Sequence, residues 1–466
     1  MKRWTALGLA VLLVLPVVAQ ADTAKVLGDL AKKYSGALVA VHYTADLETG
    51  SREVEGQGIC ITPDGVFLTT ALDPRMPVES LKDFQLILSG VNGKKIKAKL
   101  LGVDPWTGLG FVKANEPHTW QVIQFSASSN LQLGQQVSSV GLMAGDPARP
   151  VYLGTAFVSA ILRVPGDLVY LTGGRLTGTC SPVFTDDGRA IGIVGRQLPL
   201  GYQAQVLTKR GPAPMAMRLQ SSQETAFFTP VEEFVHVLRE PPSDGKVGRL
   251  PWMGVNKFEP VGTELAEILK LDKPAVKIDE VIPNQPAAQA GLADRDIIVE
   301  VNGKPIEEMA TPELSVRNFV RELMRMKTGD KLKLKVLSGR ETKDITVTLG
   351  DMPMRPSEAK RYFNRAIGLL VREKVMLDEF LDKDEDAKVP GLLVVGMAQG
   401  SAAVAAGLQG GDVITNVNNQ PVKTIQVFQQ IVEKSLATSG TAPINFLVRR
   451  GTQAQVITVT PGVPGT

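Results

Sequence analysis

From residue 36 to about residue 183 the chain alternates short apolar runs with turn residues, as in "ALVAVHYT", "GQGICIT", "GVFLTTAL", "FQLILSG", "GTAFVSAILRV" and "LVYLTG". Runs of this length, divided by Asp-Gly, Asn-Gly and lone Gly, predict an all-β barrel or sandwich. The stretch 203–223 follows neither the period of a strand nor that of a helix, and reads as a surface loop. "FFTPVEEFVHVLRE" predicts a strand entering a helix, and 241–250, rich in Pro, Gly and Ser, reads as a linker. Beyond it the pattern repeats. "GLADRDIIVEVNGKPI" (291–306) and "GLQGGDVITNVNNQPV" (407–422) share seven of sixteen positions at an offset of 116. Each copy follows an Ala-rich turn of helix and precedes an amphipathic helix and two strand-like segments. Two domains of one kind therefore close the chain, with 351–362 joining them.

The first residues change the picture of where the protein resides. Lys2 and Arg3 precede an apolar stretch from Ala6 to Val18 and the small-x-small sequence Ala19-Gln20-Ala21. This is the pattern of a secretory signal peptide over 1–21, and the stretch is shorter than the ~20 residues a membrane span needs. Export places the only two cysteines, Cys60 and Cys180, in an oxidising compartment, where they either pair or stay buried as small apolar side chains. A net charge of +3 over 466 residues argues against a nucleic-acid partner. No spacing of His, Cys, Asp or Glu predicts a metal or other cofactor; the acidic run at 377–388 lacks the glycine and ligand spacing of a calcium loop.

The repeated Gly-Leu-x-x-x-Asp-x-Ile-x-x-Val-Asn core resembles PDZ domains of the kind that follow bacterial proteases. With the β-rich region and the leader, nearly the whole chain resembles the HtrA/Deg family of periplasmic trypsin-like serine proteases. The resemblance implies a mainly β fold, with a trypsin-like double β-barrel over 22–240 and PDZ domains over 251–350 and 363–461. It also implies periplasmic or secreted localisation and the possibility of trimers built through the barrels. In such a family a short loop and the strand after it capture a peptide C terminus by backbone N–H groups and strand addition. The matching residues are Trp252, Met253, Gly254 and Val255 with helix residues Val316 and Phe319 in the first domain, and Ile367, Gly368 and Leu369 with Phe428 in the second. Gly254 and Gly368 are expected where the ligand backbone must come close.

The catalytic positions of the family fall on Leu72 for the histidine, Gly108 for the aspartate and Cys180 for the nucleophile. Serine-protease chemistry needs a base to take the nucleophile's proton and a carboxylate to hold that base. None of the three histidines, His42, His118 and His236, falls at such a position, and Pro182 follows the fallback nucleophile Ser181 where the family has glycines. Proline removes an N–H and restricts its predecessor. The expectation is a degenerate triad with no catalytic residue. The chain then reads as a scaffold that binds C termini or unfolded segments of exported proteins, as holdase, adaptor or regulator, with an active relative as a possible partner. The alternative is an endopeptidase dependent on Cys180 or Ser181. A third reading makes it a structural envelope protein that uses PDZ folds for assembly.

Overall fold

The computed structural model describes residues 18–47, 50–73, 76–90, 93–128, 130–195, 201–208, 211–218, 227–339, 341–381, 389–438 and 440–462. The expected leader lies mostly outside the described residues. Helix α1 (Val18–Tyr34) runs without a break past the expected cleavage position after Ala21. It docks on the barrels through Leu30, which is buried, and Tyr34, whose ring stacks on Phe184 at 4.7 Å.

Six strands build the first barrel: β1 (Leu38–Leu47), β2 (Gly50–Cys60), β3 (Val66–Thr69), β4 (Leu81–Leu88), β5 (Lys95–Val103) and β6 (Gly110–Ala114). Their order is β5-β4-β1-β2-β3-β6, and β5 pairs with β6 to close the sheet. The segment expected to be a linker is partly tied to this barrel: Lys246–Val247 pairs parallel with β5, flanked by hydrogen bonds from Gly245 N to Leu101 O and from Gly248 N to Val103 O. The second barrel uses β7 (Gln136–Leu142), β8 (Val151–Arg163), β9 (Asp167–Arg175), β10 (Pro182–Thr185), β11 (Ala190–Val194) and β12 (Phe227–Pro230), closed in the order β10-β11-β12-β9-β8-β7. Val66–Thr69 and Ala190–Val194 are buried along their whole length, which is why they read as continuous apolar runs. The expected loop at 203–223 is instead largely a hairpin: Gly201–Thr208 pairs antiparallel with Gly211–Arg218. Backbone pairing needs no apolar alternation, so the pattern gave no sign of it.

After the short helix α2 (Val235–Arg239), the first C-terminal module orders β13 (Val255–Pro260), β14 (Val276–Val281), β15 (Ile297–Val301), β16 (Lys331–Ser338) and β17 (Glu341–Thr348) in sequence. Its helix α3 (Pro312–Met324) starts at Thr311, whose hydroxyl accepts from Leu314 N, with Pro312 in the first turn. Val316, Phe319 and Leu323 on one face of α3 enter the module's core. The second module repeats this with β18 (Arg361–Asn364), β19 (Leu369–Glu373), β20 (Leu392–Met397), β21 (Val413–Val417), β22 (Ile444–Arg450), β23 (Gln453–Val459) and helix α4 (Ile425–Thr438). Strand β18 begins inside the segment expected to be linker.

An ionic clamp joins the first module to the second barrel. Glu233, beside α2, takes Arg321 Nη2 at 2.7 Å and Arg325 Nη2 at 3.0 Å, and also accepts from Asp167 N at 3.1 Å. All three side chains are at most 22% exposed. Arg325 also donates to the Glu232 carbonyl at 3.1 Å, so the clamp's charges are hydrogen-bonded on several sides.

Candidate functional site

At the barrel interface the three positions expected to be degenerate come out as follows. Leu72 is fully buried and packs against Gly110, where an added Cβ would strike the Leu72 side chain. Gly108 sits at φ +70° in the turn after Asp104 and donates its N–H to the Asp104 carbonyl at 2.9 Å. The Asp104 carboxylate accepts from Thr107 N (2.7 Å) and Thr107 Oγ1 (2.5 Å), so it braces its own turn. Cys180 is fully buried at φ +65°, its thiol facing the Leu68 carbonyl at 3.8 Å. Cys60 and Cys180 are both buried thiols and no disulfide joins them; burial pushes the Cys60 thiol up to about 12.

The backbone around Cys180 is committed elsewhere. Cys180 N donates to Val194 O at 2.8 Å, Ser181 N to Gly178 O at 3.2 Å, and Gly178 N to Tyr152 Oη at 2.5 Å. An oxyanion hole requires such N–H groups to point at a substrate oxygen. Ser181 is fully buried, and its hydroxyl accepts from Gln57 Nε2 at 3.1 Å. The same amide group donates to the Cys180 carbonyl (3.1 Å) and accepts from Leu142 N (2.8 Å), tying this loop to both barrels. Sequence reasoning missed Gln57 and Tyr152, since no local pattern marks a side chain that bridges segments far apart in the chain.

The histidines lie elsewhere. His42 Nε2 is 2.8 Å from Glu53 Oε2 on β2, and the His118 ring packs on Trp120 at 4.4 Å. His236 sits on α2, where burial pulls its imidazole below the usual histidine range; the Asp104 charge works the other way. Among the described residues no group of three His, Cys, Asp or Glu side chains could hold a metal ion.

A cavity of about 1060 Å³ opens between the first module and the barrels. Trp252, Met253, Val255 and Val316 line it together, joined by Phe258, Val320 and Met324. Phe319 lies behind this wall, its ring edge-to-face with Phe258 at 5.1 Å. Val320 could have been found from its i, i+4 spacing to Val316 on α3. The barrels supply the opposite wall with Thr70, Asp73, Trp106, Gly108 and Phe227. Strand β13 stands at the end of its sheet along this cavity, an edge to which an extended chain can add. Gly254 has φ +84°, and an added Cβ would collide with Gln285 Cβ of the chain itself; Gly368, at φ +65°, would collide with Ser401 Cβ. Glycine is thus required by the module's own packing, a reason other than the close ligand approach expected from sequence.

In the second module Ile367, Leu369 and Phe428 are fully buried. The structure brings them together around β18, whose Tyr362 ring lies 6.1 Å from that of Phe428. Of the acidic run, 382–388 lie outside the described residues. Its start, α5 (Asp378–Leu381), is held by a bidentate Arg372–Asp378 pair at 2.6 and 2.7 Å, and Phe380 O accepts from Asn256 of β13 at 3.0 Å. Leu377, just before α5, lines the cavity between the first module and the barrels.

Comparison with known proteins adds three matches to family profiles. Residues 56–193 match a trypsin-like peptidase domain, and 258–349 and 393–439 each match a PDZ domain. A "Probable periplasmic serine endoprotease DegP-like" of Halomonas elongata is 27% identical over 393 residues, covering 81% of this chain and 73% of its own. A protein of the same name from Marinomonas sp. is 28% identical over 418 residues, covering 87% and 79%. Among solved structures, a variant of the HtrA-type protease AlgW with decapeptide superposes with a TM-score of 0.52 at 17% identity, covering 72% of this chain and 99% of its own.

Proposed function

We propose, from the premise that this chain belongs to the HtrA/DegP family of trypsin-like peptidase domains joined to PDZ domains, that it is a non-cleaving, peptide-binding member of that family. The observation that carries this reading is the base position. Leu72 fills it with a buried alkyl side chain, so no imidazole stands there to take a proton from Cys180 or Ser181. The internally bonded N–H groups of Gly178 and Cys180 support it further.

Binding falls to the first PDZ domain. Backbone N–H groups near Met253 and Gly254 would take a ligand carboxylate, β13 would pair with the ligand backbone, and the cavity lined by Val255, Val316 and Val320 would take its apolar side chains. Clients would be C termini or unfolded segments of exported proteins in the periplasm, the compartment in the relatives' names. The test is incubation of the protein with denatured casein and with a peptide carrying a free apolar C terminus. The expected result is peptide binding without cleavage, and weaker binding when the C terminus is amidated.

A second reading, a serine-type endopeptidase, is favoured by the names of the relatives, which are serine endoproteases. Casein cleavage that survives purification and disappears in Ser181→Ala or Cys180→Ala would establish it and overturn the first.

A further inference from the structure

The two PDZ domains build one loop but differ in what lies beside it. Met253 O and Gly254 O accept from Ala287 N (2.7 Å) and Ile282 N (2.9 Å); Ile367 O and Gly368 O accept from Ala403 N (3.0 Å) and Ala398 N (2.8 Å). The loops are therefore equivalent residue by residue. In the first domain the segment entering the loop, Pro251–Trp252, pairs away with Gly350–Asp351, and β13 keeps its place at the sheet end. In the second domain the entering strand β18 turns back onto β19. Asn364 stands opposite Leu369, Phe363 opposite Leu370, Tyr362 opposite Val371 and Arg361 opposite Arg372, all antiparallel, and Glu373 N extends the ladder to Lys360 O at 2.9 Å.

The side chains complete the likeness to a bound peptide. Asn364 is 4% exposed, and its Oδ1 accepts from Ala366 N (3.1 Å) and Ile367 N (3.2 Å); Ile367 N is the counterpart of Met253 N, one of the N–H groups that would hold a ligand carboxylate. Tyr362, two residues earlier and hence on the same face, sets its ring on Phe428 of α4 and donates its hydroxyl to Glu433 Oε1 at 3.3 Å. Asn364 Nδ2 donates to the Tyr362 hydroxyl at 3.2 Å, fixing the two together.

We propose that Arg361–Asn364 is a built-in ligand of the second PDZ domain, closing its groove to clients until a competing peptide displaces it. Only the four residues Arg365–Gly368 tether it, so its effective concentration at the groove is on the order of millimolar or higher. The weak point is Asn364: a neutral amide oxygen holds N–H donors less strongly than a carboxylate does. The competing ligand is accordingly a peptide with a free C terminus and an aromatic residue third from its end, the place Tyr362 holds. This rests on reading the PDZ grooves as peptide sites, and is independent of whether the barrel cleaves.

The test uses the full chain and a fluorescein-labelled peptide ending Arg-Tyr-Phe-Asn with a free carboxylate, read by anisotropy and by hydrogen exchange. In the unaltered protein, millimolar peptide should speed exchange across 361–364 while 366–373 stay protected. In the Tyr362→Ala/Asn364→Ala variant, 366–373 should exchange fast alone and regain protection with peptide, at an affinity at least ten-fold above that of the unaltered protein for this site. Unchanged exchange of 361–364 at saturating peptide, or equal affinities in the two proteins, would make β18 an ordinary structural hairpin and overturn the proposal, whether or not the variant folds well. Protection by peptide confined to 253–260 would also overturn it while sparing the first domain's groove; no protection at either loop would remove the groove reading itself.

Discussion

At the scale of single residues, the site is defined by what replaces polar chemistry. Leu72 and Cys180 are fully buried, so neither leaves an unpaired polar group where a triad would stand. Placing triad side chains at the three expected positions should not give cleavage. The triple variant Leu72→His, Gly108→Asp, Cys180→Ser supplies the side chains, but Gly178 N and Cys180 N still bond to Tyr152 and Val194. A fluorogenic peptide assay should read no turnover above background. Leu72→His alone should cost about 2–4 kcal/mol in chemical denaturation, because it buries an imidazole against Gly110 in a packed core. His236 gives a pH signature. Burial lowers its pKa in the folded chain below the ~6.5 of the unfolded one, so the unfolded state binds more protons as pH falls through that value. Stability should therefore drop as pH falls below about 6.5, and the drop should be shallower in His236→Gln, which cannot titrate.

At the scale of elements, a loop's glycine and a helix's ion pair decide shape. Gly254→Ala should weaken the first PDZ domain by about 1–3 kcal/mol, through its positive φ and the clash with Gln285, even with no peptide present. Thermal unfolding of the variant in the absence of ligand checks this, and it means that a binding loss in any Gly254 variant does not by itself report ligand approach. Arg372 and Asp378 are 8% and 12% exposed in their side chains. Burial works to raise the Asp378 pKa, but Arg372 and the Val375 N–H outweigh it and hold the carboxyl below its ordinary value. Arg372→Ala should then cost about 3 kcal/mol, and Arg372→Ala/Asp378→Ala less, since the double variant leaves no buried charge unpaired. Denaturation of both variants measures the difference.

For the whole molecule, the Glu233 clamp fixes α3 of the first PDZ domain to the second barrel and so gives the cavity between them its two walls. Glu233→Ala leaves Arg321 and Arg325 without that carboxylate; limited proteolysis should then cut faster between the barrels and the first PDZ domain, and small-angle scattering should show a larger radius of gyration. The sequence by itself determined the β-rich first half, because half-buried and buried strands impose runs that repeat with turn residues between them. It also determined the two related domains, because one fold places the same Gly, Asp, Ile and Asn at the same turns and strand positions. It did not reveal the bridging role of Gln57, whose partners Leu142 and Ser181 lie 85 and 124 residues away, nor the edge pairing of β18. Open and closed grooves follow nearly the same loop pattern, and only the path of the preceding strand separates them. That path is set by backbone hydrogen bonds and by Tyr362 and Asn364 finding partners across the groove, contacts between facing surfaces that carry no period along the chain.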